Sequence, residues 1–176
     1  MNSSDLAWTH AVPSKQPDQV AYVVPDLDNA IRSWSRLLGR QDWRVYTYGP
    51  HNTRDLRYRG STAGYSMRLA LCGTSPQVEL IQSLSGPNLY SEWSDQHGSG
   101  LHHVGYFVDS LAVTLSGLTG FGIHPVQTGV GYGLDGDGGY AYYELPGVDG
   151  LVEYIEVPKR RAPSEPIASA ARRDKS

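Results

Sequence analysis

A chain of 176 residues with 39% hydrophobic side chains and a formal charge of −3 suits one soluble domain, or two small modules sharing a core. No apolar run approaches the roughly 20 residues of a membrane span. The single cysteine, Cys72, excludes an internal disulfide. Met1 to Asp5 shows no secretory leader, so a reducing, cytoplasmic setting is expected.

Residues 1–17 contain scattered apolar positions and two prolines and are expected to form an irregular N-terminal arm. Gln19 to Val24 reads as a strand, ended by Pro25. Asp26 or Asp28 can cap a following helix, in which Leu27, Ala30, Ile31, Trp34, Leu37 and Leu38 recur at helical spacing. Gly39 supplies its stop. Trp43 to Tyr48 alternates as a strand, and Gly49-Pro50 breaks it. Asp55 to Arg59 and Tyr65 to Cys72 read as the two arms of one hairpin joined around Gly60 and Gly64. Cys72 closes an apolar run and reads as a buried structural thiol. Gln77 to Gln82 completes the first half, residues 18–82.

A connector over residues 83–99 follows. In it Leu89, Tyr90 and Trp93 are helically spaced between a capping Asn88 and Gly98. The second half, residues 100–157, starts the order again. Leu101 to Val108 is a strand, and Asp109 or Ser110 caps a helix with Leu111, Leu115 and Leu118. His124 to Thr128, Tyr140 to Leu145 and Leu151 to Val157 are the returning strands. Gly129 to Gly139 is rich in glycine and aspartate, but it lacks the glutamate and flanking helices of an EF-hand. It is expected to be a flexible loop over the site. From Pro158 the chain carries six basic and two acidic side chains among prolines and alanines. This predicts a flexible basic tail over 158–176, disordered or loosely docked. No aromatic residues interleave it, so a nucleic-acid partner is not expected.

The two halves echo each other in residues as well as in order. Gln19-Val-Ala-Tyr-Val-Val aligns with His103-Val-Gly-Tyr-Phe-Val, and Val78-Glu-Leu-Ile aligns with Val152-Glu-Tyr-Ile. A recurring strand, helix and three strands points to duplication of one module. It places a polar, metal-capable side chain inside an apolar strand at Gln19, Glu79, His103 and Glu153. The residues two along from Gln19 and His103, Ala21 and Gly105, are small and leave room on the same face. Buried carboxylates in such strands need a cation. One imidazole, two carboxylates and an amide oxygen suit zinc, cobalt, nickel, manganese or iron(II) with open positions for water and substrate.

These segments resemble the vicinal oxygen chelate superfamily, the glyoxalase, bleomycin-resistance and dioxygenase group, over roughly Asp18 to Val157. The style of Gln19-Val-Ala-Tyr-Val-Val-Pro-Asp, Val78-Glu-Leu-Ile-Gln, Gly100-Leu-His-His-Val-Gly and Leu151-Val-Glu-Tyr-Ile-Glu is similar to the methylmalonyl-CoA epimerase and glyoxalase I branch. The resemblance implies an α+β fold in which two βαβββ modules curl into a cup around a divalent metal, held by Gln19, Glu79, His103 and Glu153. Within the repeat His102 takes the opposite face and reads as structural. The resemblance further implies a metal-stabilised enolate of a small molecule bearing a carbonyl or carboxylate, in an isomerase, epimerase or lyase type of reaction. Glu153 is the candidate base and Glu79 the other catalytic carboxylate. It also implies a homodimer.

Two departures bear on that reading. Gln19 stands where such epimerases carry histidine, and no glutamate lies between Arg40 and Val78, where they place a second one. Tyr58, Tyr65 and Tyr142 are candidate acids. Arg54, Arg57, Arg59 and Arg68 could meet an anionic group such as a CoA phosphate. The competing readings are a drug- or small-molecule-binding protein of the resistance type, whose cup Trp43, Tyr46, Tyr48, Tyr65 and Trp93 would suit, and a metal-water hydrolase.

Overall fold

The computed structural model describes residues 15–145 and 150–167. Ten strands form one sheet in the order β2-β5-β6-β1-β7-β10-β9-β8-β3-β4. Along the chain these are β1 (Gln19–Val23), β2 (Arg44–Tyr48), β3 (Arg54–Tyr58), β4 (Ser61–Thr62), β5 (Ser66–Cys72), β6 (Gln77–Ser85), β7 (Gly100–Phe107), β8 (Gln127–Val130), β9 (Gly139–Glu144) and β10 (Leu151–Glu156). Among the described residues there are also three helices: α1 (Leu27–Leu38), α2 (Leu89–His97) and α3 (Leu111–Gly120).

The duplication is visible in the pairing. β1 and β7 lie antiparallel at the centre, β6 runs parallel to β1, and β10 runs parallel to β7. The result is a curled mixed sheet of the α+β class, a cup built from two βαβββ modules.

Capping explains where the helices start. Asn29 N–H donates to the Asp26 side chain at the start of α1, and Gly39 ends that helix in the left-handed region at φ 66°. Asn88 and Ser110 cap α2 and α3 in the same way. Alternation along the strands sends one set of side chains into the cup and the other outward. On β5, Met67, Leu69 and Leu71 join the cup interior, whereas Ala70 and Cys72 pack outward with Leu27 and Ile31 of α1. On β10, Val152 and Tyr154 pack outward with Leu111 and Leu118 of α3. Cys72 is a buried free thiol, as expected. Burial on both faces accounts for the nearly continuous apolar runs of these strands.

The sequence reading needs three corrections. β5 does not pair with β3; it lies between β2 and β6. The β3 strand turns back through Arg59 and Gly60 onto the two-residue β4, and its other edge pairs with β8 of the second module. The β3–β4 hairpin is thus an insertion that extends the far edge of the sheet.

Second, residues 158–167, expected within a flexible tail, are docked. Lys159 N–H donates to Asp137 Oδ2 at 2.8 Å, and Leu134 N–H donates to Arg160 O at 2.9 Å. Further on, Glu165 N–H donates to Val45 O at 2.8 Å, and Val45 N–H donates to Ser164 Oγ at 2.9 Å. The segment therefore straps the 131–138 loop of the second module to the edge strand β2 of the first. The third correction concerns His102 and belongs with the site below. Residues 1–14 of the expected arm and 168–176 of the expected tail lie outside the described residues.

Candidate metal centre

The four central strands, β6, β1, β7 and β10, each carry one of the predicted donors. Glu79 is on β6, Gln19 on β1, His103 on β7 and Glu153 on β10. All four are buried, at 5%, 3%, 2% and 5% exposure, and that decides whether the glutamates are merely solvent-facing strand residues. They are not. Donor atoms of Glu79, His103 and Glu153 lie within 4.8 Å of one another. His103 Nε2 is 2.9 Å from Glu153 Oε2 and 3.4 Å from Glu79 Oε2. Gln19, Glu79 and Glu153 line a common cavity.

Despite this closeness, Gln19 Oε1, Glu79 Oε2, His103 Nε2 and Glu153 Oε2 are all without a hydrogen-bond partner. The 2.9 Å approach of His103 to Glu153 does not have hydrogen-bonding geometry. Leaving such groups unmatched costs a few kcal/mol each. The donor set and its orphaned lone pairs therefore fit a divalent cation.

Neighbouring groups fix the orientation of the donors. Gln77 Nε2 donates to Gly73 O at 3.5 Å, which leaves Gln77 Oε1 as an acceptor. Gln19 Nε2 donates to it at 3.2 Å, and this turns Gln19 Oε1 toward the site. Gly105 is opposite Gln19 across the β1–β7 pair, where a Cβ would fall 2.9 Å from Gln19 Oε1. Glycine is what lets the amide lie there.

Strict alternation, which sends His102 away from the site, fails at a bulge. The β1–β7 register shifts between Ala21 and Tyr22, and the two histidine rings meet with Nδ1 atoms 2.9 Å apart. His102 is 1% exposed and packs against Tyr90, Trp93 and Tyr142. Were His103 to present its Nε2 lone pair to a metal, its Nδ1–H would donate to His102 Nδ1, setting ring orientation and tautomer together.

Electrostatics follow from burial. Burial alone would depress the His103 imidazole, but the facing carboxylates, Glu153 foremost, bring it up to about 9. Burial pushes the Glu79 carboxyl above its ordinary range, against the pull of His103. His102 is held well below its usual value by burial and by its neighbour His103.

The cavity beside the donors has a volume of about 30 Å³ and walls of Met67, Leu69, Leu71 and Ile155 with Tyr48, Tyr90, Tyr132, Tyr140 and Tyr142. Of the candidate acids, only Tyr142 lines it, with its ring 5.0 Å from that of His103. Burial and the nearby Glu153 keep its hydroxyl protonated well above the usual range. Tyr65 Oη donates to Thr128 O, and Tyr58 Oη donates to Glu92, so both are engaged elsewhere.

The arginines of the first module do not line the cavity. Arg59 pairs with Glu92 and Glu144, Arg68 with Asp28 and Glu165, and Arg54 donates to Gly136 O. The basic residue that does reach the cavity is Arg161, from the segment expected to be tail. Its only sequence signal is the run Lys159-Arg160-Arg161. Tyr132, from the glycine-rich loop, is the other lining residue that the pattern did not single out.

Comparison with known proteins agrees with this architecture. No curated protein sequence matches the chain significantly. Several solved structures share the fold. Methylmalonyl-CoA epimerase from Mycobacterium tuberculosis is 20% identical, with a TM-score of 0.57 over 86% of this chain and 93% of that one. A hypothetical protein, BH1468 from Bacillus halodurans, is 16% identical with a TM-score of 0.55 over 85% and 99%. A single-residue variant of Streptomyces coelicolor methylmalonyl-CoA epimerase, in complex with 2-nitronate-propionyl-CoA, is 13% identical with a TM-score of 0.57 over 85% and 99%. A family model described as Glyoxalase/Bleomycin resistance protein/Dioxygenase superfamily matches residues 18–143. With its duplicated module and its donors on the central strands, the chain belongs to the Glyoxalase/Bleomycin resistance protein/Dioxygenase superfamily.

Proposed function

We propose that the chain is a divalent-metal-dependent enzyme that moves a proton at the carbon next to a carbonyl of a small molecule, an isomerase or epimerase type of reaction. The observation that carries this reading is a set of four buried, partnerless donor atoms, two of them carboxylate oxygens, in an otherwise apolar and tyrosine-lined cup. Gln19 Oε1, Glu79 Oε2, His103 Nε2 and Glu153 Oε2 would hold the ion. When bound, it would supply Lewis-acid stabilisation of an enolate oxygen, an effect of several kcal/mol.

The remaining work falls to the side chains. Glu153 is the base: its carboxylate lines the cavity, and its Oε2 has no hydrogen bond to give up before accepting a proton. Glu79, which lines the same cavity, is the other carboxylate that can return the proton. Tyr142, kept protonated next to Glu153, can donate a hydrogen bond to a substrate oxygen. The aliphatic wall keeps water from competing with substrate for the proton.

The tyrosine-rich lining favours a second reading, a binding protein for aromatic small molecules, which would have no use for the four donors. Deuterium incorporation separates the two. In D2O with added cobalt or zinc, carbonyl compounds should lose the adjacent C–H signal in proton spectra, and Glu153→Gln should slow the loss by about 10²- to 10⁴-fold. Stoichiometric metal with no exchange in any compound of a broad panel would replace the enzyme reading with the binding one.

A further inference from the structure

Arg161 brings a fixed positive charge to the cavity that Gln19, Glu79 and Glu153 line, and among the described residues no other lysine or arginine lines it. A half-buried arginine ordinarily finds a carboxylate. Arg161 has none within ion-pairing distance among the described residues. Instead its Nη1 donates to Tyr48 Oη at 2.8 Å, and its guanidinium lies 5.4 and 5.3 Å from the ring centres of Tyr46 and Tyr132. That hydrogen bond uses one of five N–H donors. The tyrosine rings hold the guanidinium plane without neutralising it.

Charge balance says what could complete the site. A divalent ion cancels the two carboxylates, the amide and imidazole add nothing, and Arg161 leaves the cup with one positive charge. A singly charged anion restores neutrality. We propose that Arg161 is a specificity-determining residue that selects carbonyl compounds bearing one carboxylate, by pairing its guanidinium with that group. The inference rests on the metal-centre reading above and adds the substrate class to it.

The location of Arg161 explains how such a substrate would enter. A cavity of about 30 Å³ has room for little more than one water. A carbonyl acid needs more room than that, which the segment over residues 158–167 could give by moving outward. Its ties run from Arg160 to the exposed Asp135, from Lys159 N–H to Asp137, from Leu134 N–H to Arg160 O, and from Ser164 and Glu165 to the backbone of the buried Val45. On closing again, the segment carries Arg161 onto the carboxylate.

The test uses the cobalt-loaded full chain, with pyruvate, 2-oxobutanoate and acetoacetate as probes and methyl pyruvate as the uncharged control. Binding is read by calorimetry and by the cobalt visible spectrum in the wild type, Arg161→Gln and Arg161→Lys. We expect all three proteins to bind cobalt alike. The wild type should favour at least one acid over the ester by tenfold or more. Arg161→Gln should lose at least tenfold toward that acid and nothing toward the ester, and Arg161→Lys should recover part of the loss. Unchanged acid binding in a cobalt-loaded Arg161→Gln overturns the role of Arg161 while leaving the metal centre intact. Equal losses for acid and ester show that the residue only packs the cup, and they overturn the role too. Failure of every acid to bind overturns the substrate class, and failure of the wild type to bind cobalt removes both readings together.

Discussion

Adding one methyl group at Gly105 should separate metal binding from folding. The Cβ of Gly105→Ala would lie 2.9 Å from Gln19 Oε1, 3.0 Å from Ile155 Cδ1 and 3.1 Å from Gln19 Cβ. Real Cβ atoms essentially never come within 3.0 Å of a neighbour, so something must shift. The backbone at Gly105 is not in the left-handed region, so the strand itself accepts alanine. Gln19 Oε1 and Ile155 Cδ1 are far ends of flexible side chains and can rotate away, which keeps the overpacking cost near the lower end of about 1–3 kcal/mol. For a chain of this size that is a fall in Tm of roughly 2–4 °C per kcal/mol. The rotation nevertheless takes the amide oxygen off the site. Loss of a well-placed donor should lower metal affinity by about 10- to 100-fold. Competition titration with cobalt or zinc, beside thermal unfolding, reads both effects. The double variant Gly105→Ala with Gln19→Ala should bind metal no worse than Gln19→Ala alone, because both changes act on one contact. A folded Gly105→Ala protein with wild-type affinity would refute the claim that Gln19 is a ligand.

Glu153→Gln should keep a measurable metal affinity, since an amide oxygen remains, while slowing C–H exchange by about 10²- to 10⁴-fold, as measured by deuterium incorporation. His102→Phe leaves the buried Nδ1 of His103 without its neighbour. It should cost about 1–3 kcal/mol in denaturant unfolding and lower metal affinity by about 10- to 100-fold. The His103 imidazole stands at about 9, above its ordinary value, so near neutral pH a metal must displace its proton. Affinity should therefore rise with pH by up to about tenfold per unit and level off above about pH 9. An affinity that is flat from about pH 6 to 9 would contradict a His103 ligand. By the same sign, His103 stabilises the metal-free fold in full below about pH 6.5, and that increment is lost as pH rises through about 9. Tyr65→Phe removes a hydroxyl that donates to Thr128 O and lies 2.8 Å from Tyr140 Oη. It should cost about 0.5–1.5 kcal/mol in denaturant unfolding without changing metal affinity.

The parts of this molecule legible in the sequence were those that the duplication repeats. Two weak local signals, a polar residue at Gln19 and another at His103, became strong because the same spacing recurs around Glu79 and Glu153. The caps at Asp26, Asn88 and Ser110 were legible because each is a local hydrogen bond. Features set by distant contacts were not. β3 and β5 both read as strands, but nothing in their residues says that β3 prefers β8 to β5. The bulge at His102 breaks the period-two rule that assigned its ring to the other face. Residues 158–167 have the composition of a loose tail, yet Val45, Asp135, Asp137 and Tyr48 supply partners that only the folded sheet brings together. Arg161 entered the site by that route.

The central claim is that Gln19, Glu79, His103 and Glu153 hold one divalent ion between the two modules. Elemental analysis of the full chain, purified without chelator and dialysed against metal-free buffer, tests it directly when paired with Glu79→Gln/Glu153→Gln. The account predicts one tightly held divalent ion per wild-type chain and almost none in the double variant. Wild-type protein that retains no metal and shows no saturable uptake of zinc, cobalt, nickel, manganese or iron(II) would contradict it.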